Sequence, residues 1–305
     1  MDIPAELRRR PPSATLEWVA TRIAPGARVT RVRRLRNAWA AAMHAVDVDD
    51  GRGETHRLVV RRWARRDYPP DPGVVDNEAA ALTALAAAPG LTVPALLAAD
   101  PDGTAADAPA VVMTRLPGHD VLAPRDLDRY LDGLAAALHA IHAAPVRLDP
   151  LFEYRPWNLD GLDEAPGWSR RPDVWRRAIA LARRPVPRHL PVLCHRDFHP
   201  GNVLWRRGRV TGVVDWTHAC RGPAAADVAH CRVNLAQLFG LEAANEFARR
   251  YGPVDDLAWF DIVAVVGCEP PEVWRWHDAG RADMTVETVM QSYEDLLADA
   301  LERID

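Results

Sequence analysis

The pattern of apolar and polar positions changes character once along the chain. Before about residue 115, short runs mix the two with β-branched residues. VTRVRRL (29–35), AMHAVDV (42–48) and HRLVVRRW (56–63) are predicted strands, and DDGRG (49–53) is the turn between the second and third. DNEAAALTALAAA (76–88) is rich in helix formers, opens on Asp76 and stops at Pro89-Gly90, so a helix is expected there. AVVM (110–113) has the length of a buried strand and runs into TRLPG (114–118), a connector. Beyond it the period is helical. Leu127, Leu131, Leu134, Leu138 and Ile141 share one face of DLDRYLDGLAAALHAIHA. PDVWRRAIALARR, NLAQLFGLEAANEFARR and VETVMQSYEDLLADALERI predict three further helices. VLW (203–205) and VTGVVDW (210–216) predict a hairpin around RRG. The class is therefore α+β. An N-terminal unit, residues 1–115, carries an antiparallel sheet plus a helix, and a mainly helical unit, residues 116–305, follows.

Composition narrows the function. The formal net charge of −4 gives no reason to expect a nucleic-acid or membrane partner. No run of about 18 apolar residues is present, and MDIPAELRRRPP lacks the apolar stretch of a signal peptide, so a cytoplasmic protein is expected. The four cysteines, Cys194, Cys220, Cys231 and Cys268, form no C-x-x-C pair and are expected to be reduced. All 38 basic residues are arginine. Without lysine, a G-K-[ST] phosphate loop is excluded.

The densest chemistry lies in LCHRDFHPGNVLW (193–205). His195 and His199, four apart, would share a helix face and suit zinc, but Pro200-Gly201 follows at once and no third ligand is evident. The spacing H-R-D-x-x-x-x-N fits phosphoryl transfer better. There an Asp receives the proton of the attacking hydroxyl, an Asn holds Mg²⁺, and a second Asp at the end of the next strand completes the metal site. Asp197, Asn202 and Asp215 supply the three. Each also has a plain alternative: a turn cap, a backbone partner, a strand end.

These residues resemble the aminoglycoside phosphotransferase and choline kinase-like family. Its pattern is matched by His195-Arg196-Asp197, Asn202, Val214-Asp215-Trp216, Gly222-Pro223 and Asp227-Val228-Ala229. The resemblance runs over roughly residues 28 to 300 and implies a bilobal protein-kinase-like fold. It implies transfer of a nucleotide γ-phosphoryl, ATP by default and GTP as an alternative, to a small-molecule hydroxyl. Asp197 would be the catalytic base, Asn202 and Asp215 the Mg²⁺ ligands, and His195 and Asp227 supports of the loop. A kinase also needs a cation on its third strand paired with a helix Glu. Arg61 with Glu78 is the candidate pair, against the alternative that Arg61 and Arg62 are surface charges on an edge strand. Thr114, Arg115 and Leu116 would read the base edge.

The chain departs from the family between its first two strands. RLRNAWAAAM (34–43) has no glycine where backbone N–H groups should approach phosphates, and Asn37 is the residue expected to stand in for one. That departure motivates a pseudokinase alternative, which binds nucleotide without turnover. The acceptor is open: an aminoglycoside, or a metabolite such as choline, a sugar, a fructosamine or an amino-acid hydroxyl. Glu269, Glu272, Asp278 and Asp283 are compatible with a polyamine, or with a solvated loop. Trp157, Trp168, Trp274 and Trp276 are compatible with a quaternary-ammonium cage, or with ordinary packing. His139 and His142 read as structural, and the protein as a monomer or homodimer.

Overall fold

The computed structural model of the chain describes residues 4–36, 38, 40–65, 67, 69–159, 162–268 and 273–304, the side chains of Trp274 and Arg275 excepted. Two helices that the sequence pattern did not announce come first, α1 (Ala5–Arg8) and α2 (Ser13–Thr21). Strands β1 (Arg28–Arg34), β2 (Ala42–Asp49) and β3 (Thr55–Arg62) follow, within a residue of expectation. Helix α3 (Val74–Leu85) starts two residues before the expected Asp76 and ends at Leu85. β4 (Leu96–Asp100), unforeseen, precedes β5 (Ala110–Thr114). The five strands form one antiparallel sheet in the order β1-β2-β3-β5-β4.

That order makes β3 an interior strand, which overturns the edge-strand alternative for its arginines. Strand alternation sends them to opposite faces. Leu58, Val60 and Arg62 face α2, where Leu16, Val19, Val46, Val48 and Val112 close a small core. There Arg62 is fully buried and paired with Asp107 at 2.6 Å. Val59 and Arg61 face the other way, toward the rest of the molecule.

Beyond the sheet, α4 (Leu127–His142) begins at Asp126, whose side chain accepts the Arg129 N–H at 3.0 Å, a conventional N-cap. β6 (Phe152–Glu153) and α5 (Pro172–Ala182) lead to β7 (Val192–Cys194). The expected hairpin is β8 (Val203–Arg206) with β9 (Arg209–Val213). β10 (Cys220–Gly222) lies between β6 and β7 in a small sheet. Five helices complete the chain: α6 (Ala224–Phe239), α7 (Leu241–Tyr251), α8 (Leu257–Val266), α9 (Trp274–Asp278) and α10 (Val286–Ile304). The segment expected as one helix from Asn234 is thus two, and α6 opens ten residues earlier. The four cysteines are free thiols. Among the described residues no helix is long and apolar enough to cross a membrane.

Candidate active site

The loop that leaves β7 is built on a buried carboxylate. Asp227, in the first turn of α6, accepts the backbone N–H groups of His195 at 2.7 Å and Arg196 at 2.6 Å, and Nε2 of His142 at 3.0 Å. Burial alone would raise its carboxyl, but the bond and charge of His142 outweigh that and hold it below the ordinary range. Arg196 adopts φ 73°, a left-handed turn that reverses the chain. Its guanidinium lies 3.6 Å from the Trp157 ring centroid and 4.8 Å from that of Tyr154, and bonds the Arg155 carbonyl. His195 is buried and donates from Nε2 to the Val214 carbonyl at 2.9 Å. Both expected supports, His195 and Asp227, therefore sit beneath the loop.

On the loop's open side the three acceptor groups converge. Asp197 receives Nδ2 of Asn202 at 3.1 Å on Oδ2, and the same nitrogen bonds the Asp197 carbonyl at 2.9 Å. With that NH₂ engaged, the amide oxygen of Asn202 is its remaining acceptor. Oδ1 of Asp197 lies 2.9 Å from Nε2 of His230. Burial would raise Asp197, yet the charge that His199 carries once protonated at acid pH, with the His230 bond, holds it well below the carboxylate range, so it is ionised at neutral pH. Burial lowers His199 to about 4, leaving a neutral ring whose Nδ1 accepts the Gly201 N–H at 3.1 Å. His195 and His199 thus have separate duties and do not group as metal ligands among the described residues.

Asp215 lies two residues beyond β9, at φ 71°. Its Oδ1 accepts Arg61 at 2.6 Å and the Thr217 hydroxyl at 2.8 Å. The Val214 N–H to Asn202 carbonyl bond, 2.9 Å, ties Asp215's strand to the loop. Arg61 is paired more loosely with Glu78 on α3, Nε to Oε2 at 3.5 Å. Glu78 is fully buried, and burial pushes its carboxyl up to about 7 against the pull of Arg61. The expected pair exists, with Asp215 as the closer partner of its cation.

A cleft of about 840 Å³, lined by Arg61, Asn202 and Asp215, extends to the connector. Ala45, Val59 and Met113 line it from the sheet, and Leu204 and Val214 from the hairpin, which makes an apolar slot. Of the three connector residues, Thr114 gives its N–H to the Ala95 carbonyl and Arg115 to that of Arg57. Among the described residues the Leu116 N–H has no such partner, which leaves it for a ligand. Asn37 lies outside the described residues, and Ala38 lines the cleft. Arginines are conspicuous there: Arg31, Arg33, Arg36, Arg57, Arg61, Arg115 and Arg206 against Asp47, Asp120 and Asp215.

The acidic residues and the tryptophans differ in their surroundings. Asp278 pairs with Arg34 at 2.8 Å and Asp283 with Arg281 at 2.7 Å, so each is engaged by its own arginine. Glu269 and Glu272 lie outside the described residues. Trp168 packs on Trp175 and Trp276 on the helical core, while Trp157 stands apart beside the loop, edge-on to His218 at 5.6 Å and His230 at 5.5 Å. The side chain of Trp274 is not described. His139 stacks on Tyr251 at 4.2 Å, and His142 bonds its hydroxyl at 2.7 Å. His230 and Trp157 are the site residues that the motif did not name. The one cue for His230 is its place three residues after Asp227, which becomes a shared helix face only because the helix starts at Ala224.

Known proteins share the family and the fold. Residues 21–262 match the model of a phosphotransferase enzyme family. A homoserine kinase of Parvibaculum lavamentivorans is 31% identical over 144 residues, 42% of this chain and 42% of the relative. The chain therefore matches less than half the length of that curated relative. Among solved structures, a thermostable aminoglycoside phosphotransferase in ternary complex with ADP and hygromycin B superposes with TM-score 0.60 at 17% identity, covering 94% of this chain and 98% of that one. A macrolide 2′-phosphotransferase from Brachybacterium faecium gives 0.57 at 20%, with the same coverage.

Proposed function

Given that the chain belongs to the phosphotransferase enzyme family, we propose that it moves the γ-phosphoryl of ATP to a hydroxyl of a small molecule. The observation that carries the reading is that Arg61, Asn202 and Asp215 line one cleft, with Asp197 hydrogen-bonded to Asn202 beside it. Asp197, ionised at neutral pH, accepts the hydrogen of the incoming hydroxyl and aims its oxygen at the γ-phosphorus. As the P–O bond to the acceptor forms and the bond to the β-phosphate oxygen breaks, that proton passes to Asp197 late in a loose transition state. Arg61 offers a bidentate fork to the α- and β-phosphates and, on swinging to them, releases Asp215.

The amide oxygen of Asn202 and the carboxylate of Asp215 are hard oxygen donors in that cleft, which fits Mg²⁺. A bound Mg²⁺ would neutralise charge on the donor's phosphates. Leu116 supplies an N–H to the base, and the slot between Val59 and Leu204 holds it.

Similarity to a homoserine kinase favours a second reading of the acceptor, the hydroxyl of an amino acid rather than of an antibiotic sugar. One experiment covers both. ADP and GDP release is followed with Mg²⁺ across aminoglycosides, macrolides, L-homoserine, choline and sugar alcohols, with Asp197→Asn as the blank. Release stimulated by one acceptor class and absent from the blank is the expected outcome. Release no greater than the blank for either nucleotide would defeat the proposal and favour a pseudokinase.

A further inference from the structure

We propose that His230 is a positioning residue for Asp197, and that α6 acts as a two-point clamp on the loop. The inference rests on the phosphotransfer reading of Asp197. Asp227 and His230 are three apart on one helix and so lie side by side on its face. The first holds the loop's backbone at the N–H groups of His195 and Arg196. The second holds the loop's reactive side chain, Nε2 to Oδ1 of Asp197 at 2.9 Å.

The chemistry fixes the direction of that bond. Both carboxylate oxygens of Asp197 face a nitrogen, and a carboxylate oxygen is an acceptor, so Nε2 of His230 carries the hydrogen. Asn202 occupies the other oxygen. With one donor on each oxygen, from two different elements, the carboxylate plane is fixed, and each oxygen keeps a lone pair for the acceptor's hydroxyl. The His230 ring is itself held, edge-on to Trp157 at 5.5 Å, and Trp157 is in turn covered by the Arg196 guanidinium. The side chain of Asp197 is 27% exposed, so packing alone does not immobilise it. Remove His230 and Asp197 keeps one side-chain donor, free to swing about Oδ2. A displacement of about one ångström in a reacting group costs on the order of a hundredfold in rate.

The test compares His230→Ala and His230→Gln with the wild-type chain in Mg·ATP hydrolysis, in which water takes the place of the acceptor. His230→Ala is expected to lower kcat by about 10- to 100-fold with KM for Mg·ATP within about twofold, and His230→Gln, which keeps an N–H donor, to regain most of it. A kcat for His230→Ala within threefold of wild type would overturn the proposal. So would a loss that Gln does not restore and that follows the melting temperature. A second readout is independent of turnover: ¹⁵N spectra of labelled histidine, with the His230 signal identified by its absence from His230→Gln. Asp197→Asn is expected to shift that signal, and an unmoved signal overturns the proposal. Wild-type turnover no greater than Asp197→Asn would strike the phosphotransfer reading instead, and the ring spectrum would then decide whether the clamp exists.

Discussion

Asp227 accepts three hydrogen bonds while wholly buried, which makes it the residue on which the loop's shape depends. Asp227→Asn keeps the volume but turns an NH₂ toward at least one N–H donor. The expected cost is about 3 kcal/mol, read as a lower urea midpoint with unchanged slope, and activity falls with it. A midpoint within error of wild type would show that the loop holds itself. Glu78 gives a residue-scale prediction in pH. Its carboxyl is raised to about 7 in the fold from 4.5 in the open chain. A raised carboxyl binds its proton more tightly when folded, so its contribution to stability is complete below about 4.5 and is lost as pH climbs through 7. Glu78→Gln lacks that loss. The melting temperature of the variant minus that of wild type should therefore rise between pH 5 and pH 8, and a flat difference would contradict the burial argument. What the sequence disclosed at this scale was local. Asp197 and Asn202 lie in one loop and Asp215 in the next hairpin, so spacing alone brought them together. His230 was not legible in this way, because its contact with Asp197 depends on where α6 crosses the loop.

At the scale of elements, the break between α6 and α7 is the clearest case of a boundary the pattern concealed. Apolar residues keep helical spacing on both sides, Leu235 and Leu238 before it, Ala243, Ala244 and Phe247 after, so periodicity ran straight through. The turn is made by Gly240 at φ 85° and ψ 169°, a region open essentially to glycine alone. An added Cβ there would meet nothing within 4 Å. Gly240→Ala should accordingly cost about 1–3 kcal/mol through backbone strain rather than clash, measurable by denaturation, and an unchanged midpoint would mean the two helices can fuse. Helix α8 went unrecognised for the opposite reason. LAWFDIVAVV is apolar on every side because α5, α6 and α10 surround it, so it has no polar face to set a phase. Its single acid, Asp261, is buried between Arg232 and Arg303. The edge strand β4, LLAAD, was hidden by alanine, a weak strand former.

For the whole molecule, the distribution of charge says more than its sum. The chain carries a formal −4, yet the cleft is lined by seven arginines and three aspartates. Among the described residues Arg61 is matched by Asp215 and Glu78, and Arg115 by Asp47. Arg31, Arg33 and Arg36 lie on β1 and the turn after it, where a kinase would present glycine amides to the phosphates. A net positive recess in a net negative protein focuses its field on the opening and draws in a polyanion. Guanidinium groups at the surface of such a recess are screened by salt far more than buried amides would be, since the Debye length falls to about 6 Å near 0.3 M. Affinity for ATP without acceptor, followed by calorimetry, is therefore expected to weaken by about tenfold between 50 and 300 mM NaCl. Arg33→Ala with Arg36→Ala should both weaken binding at low salt and flatten that dependence, while leaving the melting temperature nearly unchanged, because both side chains are exposed. A nucleotide affinity indifferent to salt, or a double variant with the wild-type slope, would show that backbone groups of the 34–43 segment hold the phosphates after all, and that its missing glycines are no obstacle.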